Sequence, residues 1–95
     1  MDPALKKHMF YVYILKSDKT DKLYIGFTTN IATRIGEHNN KKSMSTKANT
    51  PYQLVYFEGY RSRADALRRE KNLKYFGQAY RRLKERISDS LQGAF

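Results

Sequence analysis

The sequence predicts an α+β domain of three strands and three helices, and three observations carry that expectation. Two runs alternate with period two, Phe10-Tyr11-Val12-Tyr13-Ile14-Leu15 and Leu23-Tyr24-Ile25-Gly26-Phe27, joined by the polar, hairpin-length stretch Ser17-Asp18-Lys19-Thr20-Asp21. A third run, Tyr52 to Glu58, has the aromatic and β-branched content of a strand. Helical spacing appears in Ile31 to His38, Ala64 to Lys74 and Ala79 to Leu91.

The hairpin register follows from burial. Pairing Val12 with Ile25 and Ile14 with Leu23 gathers Phe10, Val12, Ile14, Leu23, Ile25 and Phe27 on one apolar face. The same register sets Tyr13 opposite Tyr24 and Tyr11 opposite Gly26 on the other face. A one-residue slip would mix greasy and phenolic positions, so core formation itself clusters the tyrosines. Tyrosines are also ordinary strand residues, with apolar bodies and wet tips.

Thr28-Thr29-Asn30 offers capping side chains to the first helix, whose buried edge is Ile31 and Ile35. Arg34 and His38 lie four apart and share a neighbouring edge. From Asn39 to Pro51 the chain reads as a basic polar loop, in which Lys41, Lys42 and Lys47 suit phosphate backbones as well as plain solvation. Ser62 begins the second helix with Asp65 three residues on, as in a capping box. Its inward stripe is Ala66, Leu67 and Leu73, with Glu70 in the middle. A carboxylate on an apolar stripe requires a partner: an arginine such as Arg34, or a metal ion. Gly77 marks a break before the third helix, whose apolar face is Tyr80, Leu83, Ile87 and Leu91.

Composition narrows the function classes. At 95 residues the chain is sized for one core, which predicts a domain over 9–91 between a loose tail at 1–8 and a frayed end at 92–95. With no cysteine and only His8 and His38, disulfides and thiolate or histidine-rich metal sites are excluded, leaving oxygen ligands and a hard cation. The longest apolar run is too short to cross a bilayer and the first residues lack a secretory core, so the sequence predicts a cytosolic, non-membrane protein. Nineteen Lys and Arg against nine Asp and Glu give a net charge of +10, which calls for a polyanionic partner, nucleic acid foremost.

The order of these residues resembles the GIY-YIG nuclease family. Tyr11-Val12-Tyr13 stands at its first motif and Tyr24-Ile25-Gly26 at its second. Arg34 and His38-Asn39 fall on its first helix, and Ala66 to Lys74 resembles its glutamate-bearing helix. The likeness covers about Met9 to Ile87. It is closest in character to small stand-alone bacterial members related to the amino-terminal nuclease domain of the DNA-repair incision subunit. The resemblance implies a small antiparallel sheet flanked by helices, cutting DNA phosphodiesters with one divalent cation, Mg²⁺ or Mn²⁺.

Carried across by position, the resemblance implies that Glu70 holds the metal, Arg34 contacts the scissile phosphate, and Tyr13 and Tyr24 line the reacting centre. Tyr24 is the implied general base, and His38 matches an assisting histidine. Lys41, Lys42, Lys47 and Arg69 are the expected nucleic-acid contacts. A phenol, ionising near pH 10 when unperturbed, is a poor base at neutral pH without help, whereas imidazole near 6.5 is a ready one, so Tyr24 and His38 both stay open. Two departures stand out: Tyr11 replaces the glycine of the family's name, and no asparagine follows Asn72. A nucleic-acid-binding module without turnover is the rival reading, and a basic protein-interaction domain a third. Any cutting is expected to be structure-directed or weakly selective, because backbone contacts carry little sequence information.

Overall fold

The computed structural model describes residues 9–40 and 47–94. In chain order it contains β1 (Phe10–Ser17), β2 (Leu23–Thr28), α1 (Ile31–Asn39), a 3₁₀ turn (Lys47–Asn49), β3 (Tyr52–Tyr60), α2 (Arg63–Tyr75), α3 (Gly77–Arg86) and α4 (Ser88–Gln92). The three strands form one antiparallel sheet in the order β2-β1-β3, the α+β architecture expected.

Helices cover both faces. Val12 and Ile14 of β1 join Ala66, Leu73, Leu83 and Ile87 in a core under α2 and α3, against which Phe10, Leu23, Ile25 and Phe27 pack. Tyr13, Leu15 and Tyr52 turn to the opposite face, where Tyr24, Leu54 and Ile35 of α1 meet them. The central strand therefore buries both sets of side chains, and Val12, Tyr13, Ile14 and Leu15 are all at most 1% exposed.

The β1–β2 register differs from the expected one by two residues: Tyr13 pairs with Gly26, Ile14 with Ile25 and Leu15 with Tyr24. A shift of two preserves which face each side chain takes, so the apolar and phenolic sets remain sorted. Its cause lies in the turn. The expected register would close on Asp18-Lys19, a poor pair for the positive φ angles of a two-residue hairpin. Instead Ser17 N–H donates to Lys22 O at 3.0 Å, and Ser17 Oγ accepts from the N–H groups of Lys19 and Thr20 at 3.0 and 3.2 Å.

Other expectations also need correction. The third helix is broken at Ile87, giving α3 and α4, and the break before it falls at Phe76 rather than Gly77, which is already helical. β3 runs two residues further, to Tyr60. On α1 the buried residue is His38, while Ile31 and Ile35 are half-buried. The caps behave as read: Asn30 Oδ1 accepts from Thr33 N–H at 3.1 Å and Ser62 Oγ from Asp65 N–H at 3.2 Å.

Candidate active site

Gly26 creates the room for the site. A Cβ on Gly26 would sit 2.3 Å from Tyr13 Oη and 2.4 Å from Cζ, so the Tyr13 ring lies directly across the glycine backbone. That lean toward β2 brings the Tyr13 ring centroid to 6.2 Å from Tyr24, its diagonal neighbour on the same face. Tyr11 leans the other way. It packs over Gly59 of β3, where a Cβ would be 3.2 Å from Tyr11 Cε1, and meets the Phe57 ring edge-on at 5.9 Å. The tyrosine that replaces the family's glycine is thus drawn toward β3, away from the strand carrying Tyr24.

α1 closes the pocket from the phenolic side. Asn39 anchors its end to β3, donating to Tyr52 O at 2.9 Å and accepting from Tyr52 N–H at 2.7 Å. Immediately before it, His38 is completely buried, with Nε2 at 2.9 Å from Tyr13 Oη and its ring edge-on to Tyr24 at 4.7 Å. Arg34, a turn before His38, has its charge beside the Tyr13 and Tyr24 phenols, which favour its ionised form, and faces Glu37 at 3.5 Å.

These contacts set the protonation states. Burial pushes the Tyr13 phenol up to about 12 despite the Arg34 hydrogen bond, so it keeps its proton at neutral pH. Burial, reinforced by the Arg34 charge, moves His38 below the usual imidazole value and keeps it neutral. Burial works against the Arg34 charge, but the neighbouring Tyr13 and Tyr24 phenols outweigh it and raise its pKa.

α2 supplies the carboxylate. Glu70 is close enough to Tyr13 to oppose its ionisation, and it pairs with Lys74 at 3.3 Å rather than with an arginine. Lys74 also lies 6.0 Å over the Tyr24 ring, tying this end of α2 to the β2 edge. Tyr13, Tyr24, Arg34, His38 and Glu70 therefore gather in one place, although they come from four elements. Among the described residues no group of three or more His, Asp or Glu could cage a metal. A single carboxylate suits a hard cation that retains most of its waters, not a transition-metal site.

The expected nucleic-acid contacts fare differently. Lys41 and Lys42 lie outside the described residues, as does the Lys47 side chain. Arg69 is directed to Glu58 instead, donating from Nε at 2.7 Å and Nη2 at 3.3 Å. Sequence reasoning overlooked Gly26 and Lys74. A glycine inside a strand signals a close approach, and a lysine four residues after a glutamate signals a helical pair, so both were open to detection.

Comparison with known proteins bears on the family. The profile described as the GIY-YIG catalytic domain matches residues 9–84. A UPF0213 protein of Staphylococcus haemolyticus is 45% identical over 73 residues, covering 76% of this chain and 85% of the relative. One from Haloquadratum walsbyi is 40% identical, covering 70% and 74%. One from Desulfotalea psychrophila is 38% identical over 90 residues, covering 92% and 80%. No solved structure gives a significant match.

Proposed function

Because this chain belongs to the GIY-YIG family, and so carries a nuclease-type domain, we propose that it is a divalent-metal-dependent endonuclease hydrolysing phosphodiester bonds in DNA. The observation that carries the reading is one guanidinium, Arg34, set near two phenols that favour its charge, with Glu70 near enough to oppose the ionisation of Tyr13. Phosphodiester hydrolysis gathers negative charge as the attacking oxygen bonds to phosphorus. Donors already in position stabilise that state more than the substrate.

Each residue has a part in this scheme. Arg34 has five N–H donors, and its contacts to Tyr13, Tyr24 and Glu37 leave some to meet a phosphate oxygen. Glu70 would hold the cation, which when bound neutralises charge developing on the phosphate. Tyr24 is half-buried whereas Tyr13 is almost fully buried, so Tyr24, as its phenolate, is the one that would take the proton of the attacking water. His38 is completely buried and acts through Tyr13, fixing the phenol beneath Arg34; its role is positioning. Selection is by backbone and shape, consistent with a site of cations and phenols.

The test is cleavage of end-labelled single- and double-stranded DNA with and without Mg²⁺, beside Glu70→Ala. Mg²⁺-dependent products from the wild type and none from the variant support the proposal; equal cutting by both overturns it. The Lys74–Glu70 pair favours a second reading, a binding module whose carboxylate is already neutralised. Salt-dependent DNA binding with no product under any divalent ion would replace the first reading with that one.

A further inference from the structure

The corner between α2 and α3 exposes two consecutive aromatic side chains, Tyr75 at 73% and Phe76 at 57%. Large apolar surface left in water at one point marks a contact site more often than chance. The corner is stiff. Phe76 N–H donates to Asn72 O at 3.0 Å to end α2, and Phe76 O accepts from Ala79 N–H at 3.0 Å to begin α3. The rings are thus presented outward from a backbone fixed on both sides.

The surroundings select the occupant. Phe76 borders an open groove with Asn72, Gln78, Ala79 and Arg82, while Lys71, Lys74, Arg81 and Arg82 are exposed nearby in the chain. A second copy of a +10 chain would bring like charges together here, whereas a polyanion is attracted. The corner also ends the helix that carries Glu70, about 1.4 turns further on and about 140° around its axis. Tyr75 is five residues beyond Glu70 on one helix, a rise of about 7.5 Å, and Lys74 between them touches Glu70 and Tyr24.

We infer that Tyr75 and Phe76 form a stacking platform for unpaired bases, so that a strand cut at the Glu70 site is held by its splayed bases rather than as intact duplex. Aromatic faces accept any base, and flanking cations track the backbone without reading sequence. This deepens the nuclease reading and rests on it for the identity of the polymer.

The chain contains no tryptophan, so Tyr75→Trp installs a single reporter at the platform. Titrations use the Glu70→Ala background at low salt, with a dodecamer of oligo(dT) and a blunt duplex of equal length. The expected result is saturable quenching of the Tyr75→Trp emission by oligo(dT) and little by the duplex. The paired change Tyr75→Ser and Phe76→Ser should weaken oligo(dT) binding about tenfold or more and duplex binding much less. Bound oligo(dT) that leaves the emission unchanged, or undiminished affinity in the serine variant, overturns the platform. So does a dimer of the parent protein that the serine changes abolish while oligo(dT) affinity persists. Because binding is read without cleavage, a wild type that never cuts DNA would defeat the nuclease reading and leave this measurement intact.

Discussion

Glu58 and Glu70 are both partly buried carboxylates among basic groups, yet the molecule holds them in opposite ways. Glu58 receives two donors from Arg69, at 2.7 and 3.3 Å, and one hydroxyl each from Tyr56 and Tyr60. Burial opposes its charge, but Arg69 and the two phenols outweigh that and hold its pKa below the usual carboxylate range. Glu70 has only the flexible ammonium of Lys74 at 3.3 Å. A carboxylate with both oxygens saturated belongs to the fold; one held only by a flexible ammonium is the one the proposed scheme gives to a cation. The two are linked, because Arg69 precedes Glu70 on α2 and its grip on β3 fixes the rotation that presents Glu70 to Tyr13.

The largest effects should separate the two residues cleanly. Glu70→Gln removes the charge that the proposed scheme gives to the cation, along with one weak pair to Lys74, so cleavage should fall about 10³-fold, near 4 kcal/mol of barrier. Its urea midpoint should stay within about 0.5 kcal/mol of wild type. Glu58→Gln should do the reverse, costing about 2–4 kcal/mol of stability by leaving Arg69 and two phenols poorly matched, with cleavage by the folded fraction within a few-fold. Loss of cleavage from Glu58→Gln at an unchanged midpoint would invert the comparison.

Gly26→Ala should come next. The new methyl meets the rigid, pinned Tyr13 ring at 2.3 Å, so either the ring leaves Arg34 and His38 or β2 moves. Overpacking of this kind costs about 1–3 kcal/mol, and because Tyr13 is displaced, cleavage should drop as well. A variant that melts and cuts like wild type would show that the ring's position across Gly26 is unimportant.

Much of this was legible in the chain because period-two and period-3.6 patterns report burial directly. The sorting of Tyr11, Tyr13 and Tyr24 from Val12, Ile14 and Ile25 survived even a two-residue error in register, since parity alone fixes the face. The register was not legible because it depends on hydroxyl contacts inside the turn at Ser17, which no hydrophobic pattern records. Glu70 announced itself as a charge on an apolar stripe. Arg69 was misleading: on the sequence it is one cation among many, and only the approach of β3 to α2 reveals that Glu58 claims it. His38 was visible as a residue of chemical interest, but its complete burial depends on α1 being fastened down by Asn39.

Acid should expose the two carboxylates' difference again. As pH falls below about 6.5 the unfolded chain protonates its histidines while folded His38, with its lowered pKa, resists, so stability declines from there. Glu58 adds a second loss. Its folded pKa lies below the ordinary carboxylate value of about 4.5, so its contribution is full above that pH and disappears as pH falls through the folded value. Urea midpoints measured from pH 7 to 3 should show both declines in wild type, only the first in Glu58→Gln, and only the second in His38→Gln. An unaltered acid limb in Glu58→Gln would mean that its network is not held by charge.

The smallest effect tests how loosely Glu70 is held. Lys74 is a partly exposed ammonium one turn along the same helix, and pairs of that kind contribute about 0–1 kcal/mol. Lys74→Met keeps the aliphatic stem over Tyr24 and removes the competing charge, so Glu70 should take up a divalent cation more readily. The half-maximal Mg²⁺ concentration for cleavage should fall by up to about fivefold, the ratio that about 1 kcal/mol represents, with the melting temperature little changed. A rise in that concentration would mean that Lys74 supports the metal-binding carboxylate rather than competing for it, and Glu70 would then resemble Glu58 more than their partners indicate.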